Sequence, residues 1–282
     1  MKRLISLILT LVAFFPITGH AQTENSSILK VMSYNIRNGE ASDGTNSWIY
    51  RYASSAIMLL DQKPDIFGIQ EAYNYQVNYL NEVLDKDYKS VGVGREDGKS
   101  KGEHMSVFYN KKRFSLKKWG TFWLSETPDK PSKGWDADCI RTATWTLLKD
   151  KESGKSFFFI NTHLDHVGVT ARQEGLKLII SKIAELNAEN LPVILVGDFN
   201  VLPDDPSIQV VNETMLNARI TADRTDDLGS FNGWGKEKEK KQIDYIFYSG
   251  FEKCSFFQTV TKEYDKRTFI SDHFPIMADL VL

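Results

Sequence analysis

The chain has 282 residues, 35 basic against 37 acidic, with 41% hydrophobic and 12% aromatic content. That balance lacks the strong positive field by which a protein grips long duplex nucleic acid through its phosphates, so strong duplex-DNA binding is not expected; a local basic groove stays open. The apolar content is ample for a large core, in one α/β domain or two small ones.

At the start, Lys2 and Arg3 precede an apolar run from Leu4 to Phe15, Pro16 breaks it, and Gly19-His20-Ala21 places small residues before a cut. This has the form of a secretory signal peptide over residues 1–21, too short to span a bilayer comfortably; an uncleaved anchor is the alternative. The expectation is a mature chain of residues 22–282 forming one domain, periplasmic or secreted, monomeric, with no stable membrane insertion after cleavage. Cleavage removes two basic groups and no acidic ones, leaving the chain mildly acidic.

Next, Ile28 to Tyr34 reads as a strand, and Ser47 to Asp61 carries Ile49, Ala53, Ile57 and Leu60 at helical spacing. DIFGIQE, from Asp65 to Glu71, reads as a short buried strand, and Gln76 to Leu84 as a second helix. From Tyr88 to Phe159 the pattern changes to short β segments (HMSVFYN, FSLKKWGTFWL, CIRTATWTLL, KSFFFINT) separated by Gly, Pro, Lys and Asp clusters, which predicts antiparallel hairpins. An amphipathic helix is predicted over Val169 to Ala188, with Leu176, Ile179, Ile180, Ile183 and Leu186 on one face, followed by the strand VILVG and a short helix near Ser207 to Asn212. IDYIFYS, CSFFQTVTK and HFPIMADLVL close the chain as strands. No repeat and no linker separates domains, so the simplest packing is two sheets face to face with helices outside. Cys139 and Cys254 fall in predicted strands, where they either pair or remain buried thiols; no histidine neighbours Cys139 in sequence, and nucleophilic catalysis by either is not expected.

The predicted strands share a feature: they end polar. Asn35 follows strand one, Glu71 strand two and His163 a third; GDFN supplies Asp198 and Asn200, IDY supplies Asp244, and SDH supplies Asp272 and His273. Singly, each has an ordinary explanation, since Asp and Asn end strands by bonding their own backbone and a lone histidine is more often structural. Together, six segments ending alike point to one shared site, because ligands in open α/β folds sit beyond the carboxyl ends of strands.

In this order, YNIR, IQE, NTH, GDFN, IDYIF and SDHFP resemble the endonuclease/exonuclease/phosphatase superfamily, which includes pancreatic-type deoxyribonuclease, abasic-site endonucleases, inositol-polyphosphate phosphatases, bacterial sphingomyelinases and deadenylases. The likeness runs from Asn35 to His273. It implies an α/β fold, a four-layer sandwich of two mixed, mostly antiparallel sheets packed face to face with helices outside, and hydrolysis of phosphoesters.

The residues fit that chemistry. Asn35, Glu71 and Asp272 offer hard oxygen ligands suited to Mg²⁺ or Mn²⁺. Zinc, leaning on His163 and His166, is the minority reading. His273 is the candidate base, with Asp244 fixing its tautomer and Asp198 orienting or deprotonating the same water. Asn200 and His163 are assigned to the phosphoryl oxygens, and Arg141 to the substrate phosphate, with Arg37 a weaker candidate of that kind. The resemblance also implies a histidine paired with an acid, a role that falls on Glu103.

The substrate is less legible. Trp48, Trp135 and Trp234 lie in aromatic, Lys-rich loops and either stack on a base or sugar face or pin their own loops to the core. The first reading is a phosphodiesterase acting on a nucleotide, single-stranded nucleic acid or sugar-phosphate substrate, with exonuclease or deadenylase-like activity within reach. The alternatives are a phosphomonoesterase of inositol or sugar phosphates, a sphingomyelinase-like lipid phosphodiesterase, and an inactive binding module.

Overall fold

A computed structural model describes residues 27–282; the expected signal peptide lies outside the described residues. The strands are β1 (Ile28–Asn35), β2 (Ile66–Gln70), β3 (Ala72–Tyr73), β4 (Tyr88–Val91), β5 (Glu103–His104), β6 (Val107–Asn110), β7 (Phe114–Trp123), β8 (Thr142–Asp150), β9 (Ser156–His163), β10 (Val193–Asp198), β11 (Leu216–Asn217), β12 (Asp244–Ser249), β13 (Lys253–Thr259) and β14 (Ile276–Val281). The α-helices are α1 (Trp48–Gln62), α2 (Asn74–Leu84), α3 (Val169–Leu186), α4 (Gln209–Asn212) and α5 (Ala218–Thr221).

Two six-stranded sheets result, ordered β13-β14-β1-β2-β6-β4 and β11-β12-β10-β9-β8-β7, with β3 and β5 paired separately. Each large sheet contains a single parallel pair, β1 with β2 and β9 with β10; every other pairing is antiparallel. A parallel pair needs a crossover, and α1 and α3 supply it, one for each sheet. The chain therefore contains two βαβ units of like architecture, although no repeat is visible in its sequence.

Strand alternation builds three apolar layers. Val31, Ile66, Phe157, Phe159, Val196, Ile246 and Leu280 meet between the sheets. Their neighbours point outward: Met32, Phe67 and Ile69 pack under α1 and α2 with Met58, Leu59 and Leu80, while Phe158, Ile160 and Leu195 pack under α3 with Leu176 and Ile179. This is the mixed four-layer sandwich expected from the sequence. One polar bridge crosses the central layer: Asn161 of β9 donates to the carbonyls of Ile69 and Ser106 at 2.8 and 3.0 Å and accepts from Gln70 at 2.7 Å. Gly68 makes room for it, since a Cβ there would lie 2.5 Å from the Asn161 amide carbon.

The predicted elements differ from the observed ones in instructive places. CIR, read as strand, is loop, because the Asp165 carboxylate takes the backbone N–H groups of Asp138 and Cys139, both at 3.0 Å, and β8 begins only at Thr142. Helix α2 starts at Asn74, two residues early, since Gln76 Oε1 accepts the Tyr73 N–H at 3.0 Å and caps the first turn. Cys139 is half-buried and Cys254 buried; both are free thiols. Among the described residues no helix is long and apolar enough to cross a membrane.

Candidate active site

The site follows from strand register. In the first sheet Asn35 of β1 stands opposite Gln70 of β2, so Glu71 emerges beside it. In the second, Asp198 of β10 stands opposite His163 of β9 on one side and Asp244 of β12 on the other. Both parallel pairs thus end flush at the same edge of the sandwich. Asp272 and His273 precede β14, which runs antiparallel to β1 and enters from that edge. Glu71, His163, Asp198, Asp272 and His273 line one cavity of about 710 Å³, together with Arg37, Arg95, Glu103, Arg141, His166, Asn200, Phe231 and Trp234; Asn35 and Asp244 stand behind them, bonded to Asp198 and His273.

Asp198 lies at the centre. Its Oδ2 accepts Asn35 Nδ2 at 2.9 Å and lies 3.4 Å from His163 Nε2 and 3.7 Å from His273 Nε2. Burial, with Asp244's charge adding to it, raises the Asp198 pKa well above the usual carboxylate range. His273 Nδ1 donates to Asp244 Oδ2 at 2.8 Å. Burial opposes charge on the His273 ring, but Asp244 and Asp198 outweigh it and hold the ring protonated through neutral pH. In that state the ring serves as a source of positive charge, since an imidazolium has no lone pair to accept a proton.

His163 is the opposite case. Burial, reinforced by the charges of Arg141 and Arg95, holds its pKa well below the ordinary value. Its Nε2 accepts Asn200 Nδ2 at 3.0 Å, which leaves the ring proton on Nδ1, a buried atom without a partner among the described residues. The second amide hydrogen of Asn200 goes to the Leu164 carbonyl, also at 3.0 Å. The expectation of an Asn200 amide free for the phosphate is therefore corrected: both hydrogens are committed, and Asn200 fixes the His163 ring.

On the other side of Asp198, Asn35 Nδ2 also donates to Glu71 Oε1 at 2.9 Å, while its oxygen accepts the Arg37 N–H at 2.9 Å. Asn35 thus turns its amide hydrogens, not its oxygen, toward the acids, and it orients Glu71 and Asp198 where a metal ligand was expected. Glu71 and Asp272 do share a cation position. Arg37 Nη1 reaches between them, 3.4 Å from Asp272 Oδ2 and 3.9 Å from Glu71 Oε2, with its fork held by Asp43. Two carboxylates sharing one cation position are hard oxygen donors of the kind that suit a divalent ion. Zinc bridging the two histidines is not supported: possible ligand atoms group His163 with Glu71 and Asp198, and His166 with Asp138 and Cys139.

Glu103 makes no histidine pair. Its carboxylate takes Arg95 Nη1 at 2.6 Å, so the acid–histidine pair of this site is Asp244–His273. Arg141 sits just before β8, 5% exposed, with Nε donating to Asp165 at 3.3 Å and Nη2 3.1 Å from His166 Nδ1. Of the three loop tryptophans, Trp234 lines the cavity, held at φ 62° by the Asn232 side chain; Trp48 is buried against Tyr52 and Tyr79, and pins its own segment.

Sequence reasoning missed four residues that build the site: Arg95, Asn161, Asp165 and Arg51. Arg51 is wholly buried and donates to the carbonyls of Ile36, Arg37, Asn46 and Ile270, joining the segments that carry Asn35 and Asp272. No sequence signal pointed to it: the helical spacing of Ile49, Ala53, Ile57 and Leu60 predicted the wrong face of α1, since Ile49, Ile57 and Leu60 are exposed and Arg51 lies on the opposite, buried side with Met58 and Leu59.

A mixed sandwich with carboxylates and histidines gathered at its flush strand ends is the architecture of a phosphoesterase. The chain belongs to the Endonuclease/Exonuclease/phosphatase family, whose profile matches residues 32–273. It is similar to a solved mannosyl-6-phosphatase of Bacteroides thetaiotaomicron, at 39% identity and TM-score 0.85, covering 90% of this chain and 100% of that one. A family member from Bacteroides vulgatus superposes with TM-score 0.86 at 35% identity, covering 91% and 100%. Nocturnin of Drosophila melanogaster is 23% identical over 84% of this chain but only 42% of its own length.

Proposed function

We propose that this chain is an exported phosphomonoesterase of small sugar phosphates that works with Mg²⁺ or Mn²⁺. The observation that carries the reading is the cavity, of about 710 Å³, which is the size of a small ligand and carries arginines on its wall. The 39% identity to a mannosyl-6-phosphatase over nearly the whole chain supports the sugar phosphate. The Leu4–Phe15 apolar run with its flanking charges supports export.

Glu71 and Asp272 would hold the metal ion, which when bound supplies positive charge to the phosphoryl oxygens. Asp198, aimed by Asn35 and set between two histidines, takes a proton from the attacking water. Water oxygen bonds to phosphorus as the ester P–O bond breaks, and the departing sugar oxygen takes its proton from solvent in the open cavity. His273, oriented by Asp244, places positive charge where the transition state gathers negative charge. His163, neutral and fixed by Asn200, keeps its Nε2 edge 3.4 Å from Asp198 without adding a charge there.

Purified residues 22–282 with Mg²⁺ or Mn²⁺ should release phosphate from hexose 6-phosphates at kcat/KM at least about tenfold above phosphodiesters, single-stranded RNA and phosphocholine lipids. A preference for any diester in that panel would overturn the reading.

A further inference from the structure

Arg95 belongs to no motif. It lies in the loop between β4 and β5, yet it lines the same cavity as His163, Asp198 and Arg141. Its side chain is 13% exposed and is aimed by Glu103 in two ways: Nη1 donates to Oε2 at 2.6 Å, and the backbone N–H of Arg95 bonds the Glu103 carbonyl at 3.0 Å. The Trp123 indole N–H fixes the Arg95 carbonyl at 2.6 Å. Only one of the guanidinium's five N–H groups is therefore spent on a protein partner among the described residues. Arg141 is similar: Asp165 takes Nε and His166 faces Nη2, while Nη1 has no such partner. Both guanidinium charges act on His163.

We infer that Arg95 and Arg141 form an anion clamp that takes a non-bridging oxygen present in a phosphomonoester and absent in a diester. This inference rests on the phosphomonoesterase reading and says which residues enforce it. A monoester carries three non-bridging oxygens and up to two negative charges; a diester replaces one oxygen with an ester arm. That arm would face two guanidinium groups and strip their solvent without returning a charge-assisted hydrogen bond. The clamp therefore rewards the dianion and penalises the second arm. Glu103 takes no part in bond making; it is a positioning residue that holds the Arg95 fork.

Two measurements test this separately from the functional reading. Inorganic phosphate binding to the Mg²⁺-loaded protein, by calorimetry, should weaken at least about tenfold in Arg95→Gln, and less in Arg95→Lys, which keeps the charge and loses the fork. Glu103→Gln should weaken it severalfold while the melting temperature stays within a few degrees. For turnover, the ratio of kcat/KM on 4-nitrophenyl phosphate to that on bis(4-nitrophenyl) phosphate should fall at least about thirtyfold in Arg95→Gln. Should Arg95→Gln not fold, the Glu103→Gln and Arg95→Lys values decide. Phosphate affinity within twofold of wild type in the folded variants would overturn the clamp, whatever the substrate. A wild-type preference for the diester alongside Arg95-dependent phosphate binding would instead overturn the monoesterase reading, and the selectivity with it.

Discussion

Asp198 and Asn200 are joined by a single hydrogen bond, from the Asn200 backbone N–H to Asp198 Oδ1 at 2.9 Å, and that bond divides the carboxylate between two tasks. Oδ1 closes the strand by an Asx-turn, with Asn200 at φ 53° as asparagine tolerates; Oδ2 faces Asn35, His163 and His273. The turn-forming and site-forming explanations of this strand end are both true, one for each oxygen.

It follows that Asp198→Asn should keep the turn, since the amide oxygen can replace Oδ1, and lose the proton acceptor. The catalytic rate constant should fall at least about a hundredfold in a variant that still unfolds cooperatively. A folded variant within a few-fold of wild type would remove Asp198 from the chemistry.

Asn200→Asp should behave differently, because both amide hydrogens of Asn200 are in use, on His163 Nε2 and the Leu164 carbonyl. A carboxylate would oppose two acceptors. The variant should lose about 1–3 kcal/mol of stability along with at least about a hundredfold in rate. Denaturant unfolding and kinetics on the same sample check this; a loss of rate without a loss of stability would mean that Asn200 does not hold the His163 ring.

The shared cation position predicts that Glu71→Gln and Asp272→Asn each weaken Mn²⁺ binding at least about tenfold, read by calorimetry on the chelator-stripped protein. Thermal stabilisation by Mn²⁺ should likewise be present in wild type and absent in either variant.

Asp165 supplies a prediction with a pH sign. Burial opposes its charge, but the N–H groups of Gly168, Asp138, Cys139 and Val167 outweigh burial and hold its carboxyl well below the usual range. A depressed folded pKa contributes stability in full above the unfolded value, about 3.9, and loses it as pH falls toward the folded value. Asp165→Asn should therefore be less stable than wild type by a constant margin between about pH 5 and 8, and the margin should shrink below about pH 4. Urea unfolding of both proteins at several pH values gives the margin; a margin that grows in acid would contradict the assignment.

The sequence by itself determined the alternation that builds two sheets, the apolar face of α3 (though not that of α1, whose predicted Ile49, Ile57 and Leu60 stay exposed), and the polar residues at Asn35, Glu71, His163, Asp198, Asp244 and His273. All of these depend on local period and on where an apolar run stops, which neighbours in the chain decide. The tertiary structure alone decided which of them meet and in what state. It set the flush register of the two parallel pairs, the protonated His273 beside a buried Asp198, the commitment of both Asn200 hydrogens, and the pairing of Glu103 with Arg95 in place of a histidine. Arg51, Arg95 and Asp165 were silent in the sequence for the same reason. Their partners lie on other segments, and a side chain's charge state and free N–H groups depend on what distant chain is packed against it, which no local pattern encodes.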